Sequence, residues 1–223
     1  MIRTLQIILL VLSMGAAAYG QDNTTSRQRI GLQIGSAVPV GEFSKNRFED
    51  DFPPMASRGT ILQGSYVYDL KPGIAVGATA GWRWNCFDLD SFAKEDDELV
   101  LSRQAGAWQT GYVLADLYLQ SKVRSFFGYF KGSLGGAYNQ SPELQVNTRY
   151  GMISRSSDSA MSLAYGLAGG IGLEVNQLGF SLEIGSLASR PTFEVSDAQG
   201  QGFRYRQAMQ TVNVNFGVNY TLH

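Results

Sequence analysis

The chain has 223 residues and carries 18 Lys and Arg against 19 Asp and Glu, a formal net charge of -1. That balance lacks the basic surplus a phosphate backbone requires, so nucleic acid is excluded as a partner. Charged residues make up 17% and glycines number 26, poorer in charge and richer in Gly than an ordinary soluble domain, and Cys86 stands alone, so no intrachain disulfide can form.

The amino terminus has the order of a secretory signal: Arg3, an apolar stretch from Ile7 to Met14, then the small residues Ala16, Ala17, Ala18 and Gly20 before a polar segment. The apolar stretch is far short of the ~20 residues that span hydrocarbon as a helix. Residues 1–20 therefore read as a cleaved leader, with cleavage after Ala18 as the alternative, and residues 21–223 as one domain. The mature chain has 17 basic and 19 acidic residues. No Cys near the cleavage site is available to take a lipid.

Alternating segments then follow one another. Ile30, Leu32, Ile34 and Val38 alternate with Gly31, Gln33, Gly35 and Ala37. Leu62, Tyr66, Tyr68 and Leu70 oppose Gln63, Ser65 and Asp69, and Lys71-Pro72-Gly73 makes a tight turn. The third segment sets Ile74, Val76, Ala78, Ala80, Trp82 and Trp84 against Gly77, Thr79, Gly81, Arg83 and Asn85. The fourth, Trp108 to Gln120, turns Val113, Ala115, Leu117 and Leu119 outward and Asp116 inward. Trp108 and Tyr112 then share the inward parity, which reads as the wrong side unless a bulge intervenes.

The fifth places Phe126, Phe130, Leu134 and Tyr138 outward and Tyr129, Lys131 and Ser133 inward. Met161, Leu163, Tyr165, Leu167, Ile171, Leu173 and Val175 share a face in the sixth; Leu178, Phe180, Leu182 and Ile184 oppose Ser181 and Glu183 in the seventh. The eighth, Val212 to Leu222, alternates Val212, Val214, Phe216, Val218, Tyr220 and Leu222 with Asn213, Asn215, Gly217, Asn219 and Thr221. At ~3.3 Å per residue and a tilt of ~45°, such a strand crosses ~25 Å, the height of an outer-membrane apolar band. Period two is evident throughout.

The connections alternate in length. Residues 39–57, 88–106, 139–159 and 189–206 are long and polar; residues 71–73, 121–125 and 176–177 are short. These features predict an eight-stranded antiparallel transmembrane up-and-down β-barrel with short periplasmic turns, long extracellular loops and both termini in the periplasm. A soluble lipocalin-like barrel is the competing fold. It would need Lys and Glu on its water-facing side, where this chain places mostly Gly, Asn, Gln, Ser and Thr. Trp82, Trp84, Tyr138 and Tyr165 near one rim, and Tyr68, Phe126, Phe180 and Tyr220 near the other, fit interfacial girdles.

With its leader, eight amphipathic segments, the opening Ile30-Gly31-Leu32-Gln33-Ile34-Gly35 followed by Pro39, Gly41 and Phe43, and the closing Val212 to Leu222, the mature chain resembles the small Gram-negative outer-membrane β-barrel proteins of the OmpA transmembrane-domain, OmpX and PorT-like group. The resemblance implies location in the cell outer membrane, contact with membrane lipid and lipopolysaccharide, and insertion by the barrel assembly machinery. Members usually end on an aromatic residue, whereas this chain ends Tyr220-Thr221-Leu222-His223.

Inward charges are Asp69, Arg83, Asp116, Lys131, Glu174 and Glu183. Arg83, Asp116, Lys131, Glu174 and Glu183 are expected to form a polar network filling the lumen, since buried charges must pair. Its alternative role is a gate whose ion pairs swap to admit ions. His-based nucleophilic catalysis is nearly excluded because the single His is His223, and no metal or cofactor is implied. The acidic run Glu95, Asp96, Asp97, Glu98, with Asp88 and Asp90 nearby, reads as a solvated loop or as a divalent-cation site bridging to lipopolysaccharide. Arg149, Arg155, Arg190, Arg204 and Arg206 are further candidates for lipid phosphates. The expected role is non-catalytic: structural, adhesive, or part of a secretion or attachment assembly with a surface partner protein. The alternative is a small pore for ions or hydrophobic solutes.

Overall fold

The computed structural model describes residues 27–46, 53–94, 98–196 and 202–222. The leader expected over residues 1–20 lies outside them. The strands are β1 (Gln28–Pro39), β2 (Ala56–Lys71), β3 (Ile74–Phe87), β4 (Val100–Ala105), β5 (Ala107–Val123), β6 (Phe126–Gln140), β7 (Leu144–Thr148), β8 (Gly151–Arg155), β9 (Ser159–Val175), β10 (Leu178–Ser189), β11 (Thr192–Ser196), β12 (Gly202–Arg206) and β13 (Met209–Leu222).

Eight of them close a barrel in the order β1-β13-β10-β9-β6-β5-β3-β2, with every neighbouring pair antiparallel. The last strand meets the first from Gln28↔Leu222 to Pro39↔Thr211. That pairing leaves no free edge in the wall, the condition for a sheet to cross hydrocarbon.

Alternation sorts the side chains as period two requires. Leu163 and Leu167 on β9 are 74% and 72% exposed, and Leu32, Leu117, Phe130, Leu182 and Phe216 also stand outward. Thr79, Arg83, Asp116, Lys131, Glu183 and Asn215 are buried within. Apolar outside and polar inside is the inverse of a soluble barrel, and it removes the lipocalin-like alternative.

In the fourth barrel strand, β5, no bulge rescues Trp108 and Tyr112, and none is needed. The β3–β5 register runs unbroken from Ile74↔Leu119 to Cys86↔Ala107, and both rings lie inside, 1% and 4% exposed. A small barrel must fill its interior with side chains, so large rings are admitted wherever facing positions are small. Gly81 supplies such a position: a Cβ there would stand 2.5 Å from the Tyr112 hydroxyl. In the barrel wall the register shifts are in β2, between Ala56 and Gly59 and between Asp69 and Lys71.

The short connections tighten to two residues each, Pro72-Gly73, Arg124-Ser125 and Asn176-Gln177. Each contains one residue with positive φ: Gly73 at 83°, Arg124 at 56° and Asn176 at 57°. Pro followed by a left-handed Gly suits a type II turn. The long connections fold further than their polarity suggests. β4, β7 and β8 form a three-stranded sheet in that order, and β11 pairs with β12 as a hairpin. Gly106 alone separates β4 from β5, and its N–H donates to the Glu143 carbonyl at 2.7 Å. The three-stranded sheet thus continues the wall of β5, β6 and β9 beyond the rim.

Candidate functional site

From the long-loop end inward, the lumen is stacked in layers. Phe43, in a single helical turn after β1, packs edge-on to Trp108 at 5.6 Å, and Phe193 of β11 meets Trp108 at 5.9 Å. Met209 and Ala56 complete this buried stopper. The Trp108 indole N–H donates to the Pro54 carbonyl at 2.8 Å, which ties the connection after β1 to the start of β5.

Arg83 lies beneath. Its guanidinium donates to the hydroxyls of Thr110 and Thr211, 2.9 Å each, and lies 5.5 Å from the Phe43 ring centre. A cation buried this deeply is held by neutral acceptors and a ring face, not by a carboxylate. Below it Ala37, Ile61, Tyr112, Leu114, Ala137, Ala164 and Leu187 form an apolar plug.

Glu183 is the hub of the next layer. Lys131 pairs with it at 2.9 Å, and it also accepts from Tyr129 at 2.7 Å, Asn215 at 3.3 Å and Gln63 at 3.4 Å. Gln63 in turn accepts from Tyr112 at 2.7 Å and donates to Gln33. Asp116 is held separately by the hydroxyls of Thr79 and Ser133. Near the short-turn end Arg29 pairs with Asp69 at 2.9 Å, and Gln120 donates to the same carboxylate at 2.7 Å.

The five charges expected to form one network are therefore distributed over four places. Lys131 and Glu183 meet; Asp116 and Arg83 each have their own neutral partners. Glu174 is outside the lumen layers: it pairs with Lys122 at 2.7 Å, both on the rim, because β9 ends one residue later and the Asn176-Gln177 turn follows. Inward parity gives a side but not a depth. Arg29, Gln33, Gln63, Tyr112, Tyr129 and Asn215 join the lumen as partners that the charge pattern alone does not reveal, although all share the inward parity of their strands.

Among the described residues the lumen keeps small cavities, two of them of about 30 Å³ each. One lies beside Lys131, Glu183, Asn213 and Asn215, the other beside Arg29, Tyr118 and Tyr129. Each admits about one water, too little for a continuous solute path. Among the described residues no three His, Cys, Asp or Glu are gathered to hold a metal.

In the outer connections, Glu95, Asp96 and Asp97 lie outside the described residues, and Glu98 is in the turn before β4. Asp88 caps the helical turn Leu89–Phe92 by accepting from the Ser91 N–H at 3.1 Å, and Asp90 pairs with Arg103 at 2.6 Å. Arg155 lies 5.1 Å over the Tyr205 ring and hydrogen-bonds its hydroxyl, while Arg204 pairs with Glu194 at 2.5 Å. Burial pushes the Tyr205 phenol above its ordinary range, against the pull of Arg155. Asp158, just before β9, accepts from the Glu194 N–H at 2.7 Å, and with the Arg155–Tyr205 contact this joins the three-stranded sheet to the β11–β12 hairpin. Tyr150 at the tip is 87% exposed, with Leu99, Leu101, Met152 and Ile153 exposed around it.

No family model matches the chain, and no curated protein matches its sequence. Solved structures similar in fold include the Neisserial surface protein A NspA, at 9% identity and TM-score 0.45, covering 87% of this chain and 95% of that one. A major outer membrane protein from Thermus thermophilus is similar at 12% identity and TM-score 0.48, covering 87% of this chain and 99% of its own. Ail, the attachment invasion locus protein of Yersinia pestis, is similar at 14% identity and TM-score 0.44, covering 88% and 97%. None of these values carries a role or a residue across. Closure, strand count, outward apolar belt and alternating connections make this chain a small eight-stranded barrel of the outer-membrane kind.

Proposed function

We propose that the protein is a non-catalytic outer-membrane scaffold that holds an attachment surface outside the cell, with both termini and the short turns in the periplasm. The observation that carries this reading is the three-stranded sheet β4-β7-β8. It continues the barrel wall past the rim and presents Leu101, Tyr150, Met152 and Ile153 to solvent, with no charge on β8 before Arg155. An exposed aromatic and apolar tip on a rigid support is a protein-docking surface by composition, with Tyr among the residue types enriched at binding hot spots. A surface or secretion partner protein fits this role better than a solute does.

Cross-linking on intact cells tests it. The wild-type chain should capture a surface protein, and Tyr150→Ala with Met152→Ser should reduce that capture at least tenfold while the barrel stays folded. Equal capture by the double variant, or capture confined to periplasmic proteins, would contradict the reading.

A further inference from the structure

The short-turn end of the barrel carries a basic surplus. Among the described residues, the long connections 40–55, 88–106, 141–158 and 190–208 are near balance, with seven Asp and Glu against eight Lys and Arg. The short-turn end holds Arg27, Arg29, Lys71, Lys122 and Arg124 against Asp69 and Glu174. Arg29 and Lys122 are paired within the rim, at 2.9 and 2.7 Å. Arg27, Lys71 and Arg124 are exposed and have no ion-pair partner among the described residues.

Their placement is as informative as their number. Lys71 directly follows Leu70, and Arg124 directly follows Val123, which pairs across the turn with Phe126. Leu70, Val123 and Phe126 are outward and 55%, 63% and 66% exposed. Each of these two cations thus stands one residue past the last hydrocarbon-facing side chain, at the level where lipid phosphates begin. All three also fall on one side of the barrel, from β1 through the β2–β3 turn to the β5–β6 turn. On the other side, the Asn176-Gln177 turn and the Thr221-Leu222 end of β13 are uncharged.

We infer that this arc binds anionic phospholipid headgroups in the leaflet that the short turns face. The guanidinia of Arg27 and Arg124 grip phosphate oxygens in pairs, and Lys71 adds a point charge. The arc fixes the depth and tilt of one side of the barrel. It rests on the barrel lying in a bilayer and is independent of any surface partner.

The test uses the full mature chain folded into nanodiscs of equal phosphatidylglycerol and phosphatidylcholine with identical acyl chains, followed by native mass spectrometry of the retained lipids. The wild type should retain phosphatidylglycerol about fivefold over phosphatidylcholine, the preference expected of roughly one surface cation contact, and raised salt should lessen it. Arg27→Gln, Lys71→Gln and Arg124→Gln together should bring the ratio to about one, while Lys94→Gln, in the connection between β3 and β4, should leave it unchanged. Heat-modified gel mobility reports that each variant is folded. Equal retention by the wild type, or unchanged preference in the triple variant, would overturn the arc. So would an acidic periplasmic protein held at this rim in place of lipid. A wild-type chain that never inserts would instead overturn the membrane reading beneath it.

Discussion

Glu183 carries a buried negative charge balanced by Lys131 and three neutral donors. Lys131→Met removes the counter-charge and leaves the carboxylate in the interior, at a cost of about 3–5 kcal/mol. Lys131→Met with Glu183→Gln should recover most of that loss, because a neutral amide needs no ion pair. Urea unfolding in lipid vesicles checks both; equal loss in the single and double variants would contradict this account of the hub. Asp116, Lys131 and Glu183 are legible as inward because a strand's period of two fixes the face. Depth is not legible, which is why the sequence pattern groups Glu174 with residues from which a rim position separates it. Trp108 and Tyr112 escape the pattern for another reason: expecting a polar interior underrates the volume that rings must fill in a narrow barrel.

The stopper is built from separate stretches of chain, Phe43 after β1, Trp108 at the start of β5, Phe193 in β11 and Met209 at the start of β13. Phe193→Ala should release the β11–β12 hairpin without opening the wall, since the barrel strands do not depend on that ring. Trp108 emission should shift to the red, and protease should cut within residues 192–206 while the barrel remains heat-modifiable. Unchanged emission together with resistance to cleavage would show that the hairpin is held by something else. The eight wall strands are legible as elements because each sustains alternation over many residues. β7 and β8 span five residues each and sit among polar neighbours, so their pattern is too short to separate from a loop. What orders them is tertiary: they extend a hairpin, β6–β9, that the wall already fixes.

For the molecule as a whole, a lumen packed with an aromatic stopper and an apolar plug, with water-sized cavities of about 30 Å³ between its side chains, predicts no stable conductance in planar bilayers. Discrete openings abolished by Arg83→Ala would favour the pore alternative. The larger claim is that hydrocarbon, not water, covers the outward Leu, Val and Phe side chains. Starting from Cys86→Ser, nitroxide labels on single cysteines at Leu117, Leu167 and Phe216, with one at Met152 for comparison, measure this directly through collisions with oxygen and with a water-soluble nickel complex. The three wall labels should meet oxygen and be shielded from nickel, and the Met152 label should show the reverse. Nickel reaching Leu117, Leu167 and Phe216 as freely as it reaches Met152, in a chain dispersed without detergent, would contradict the account.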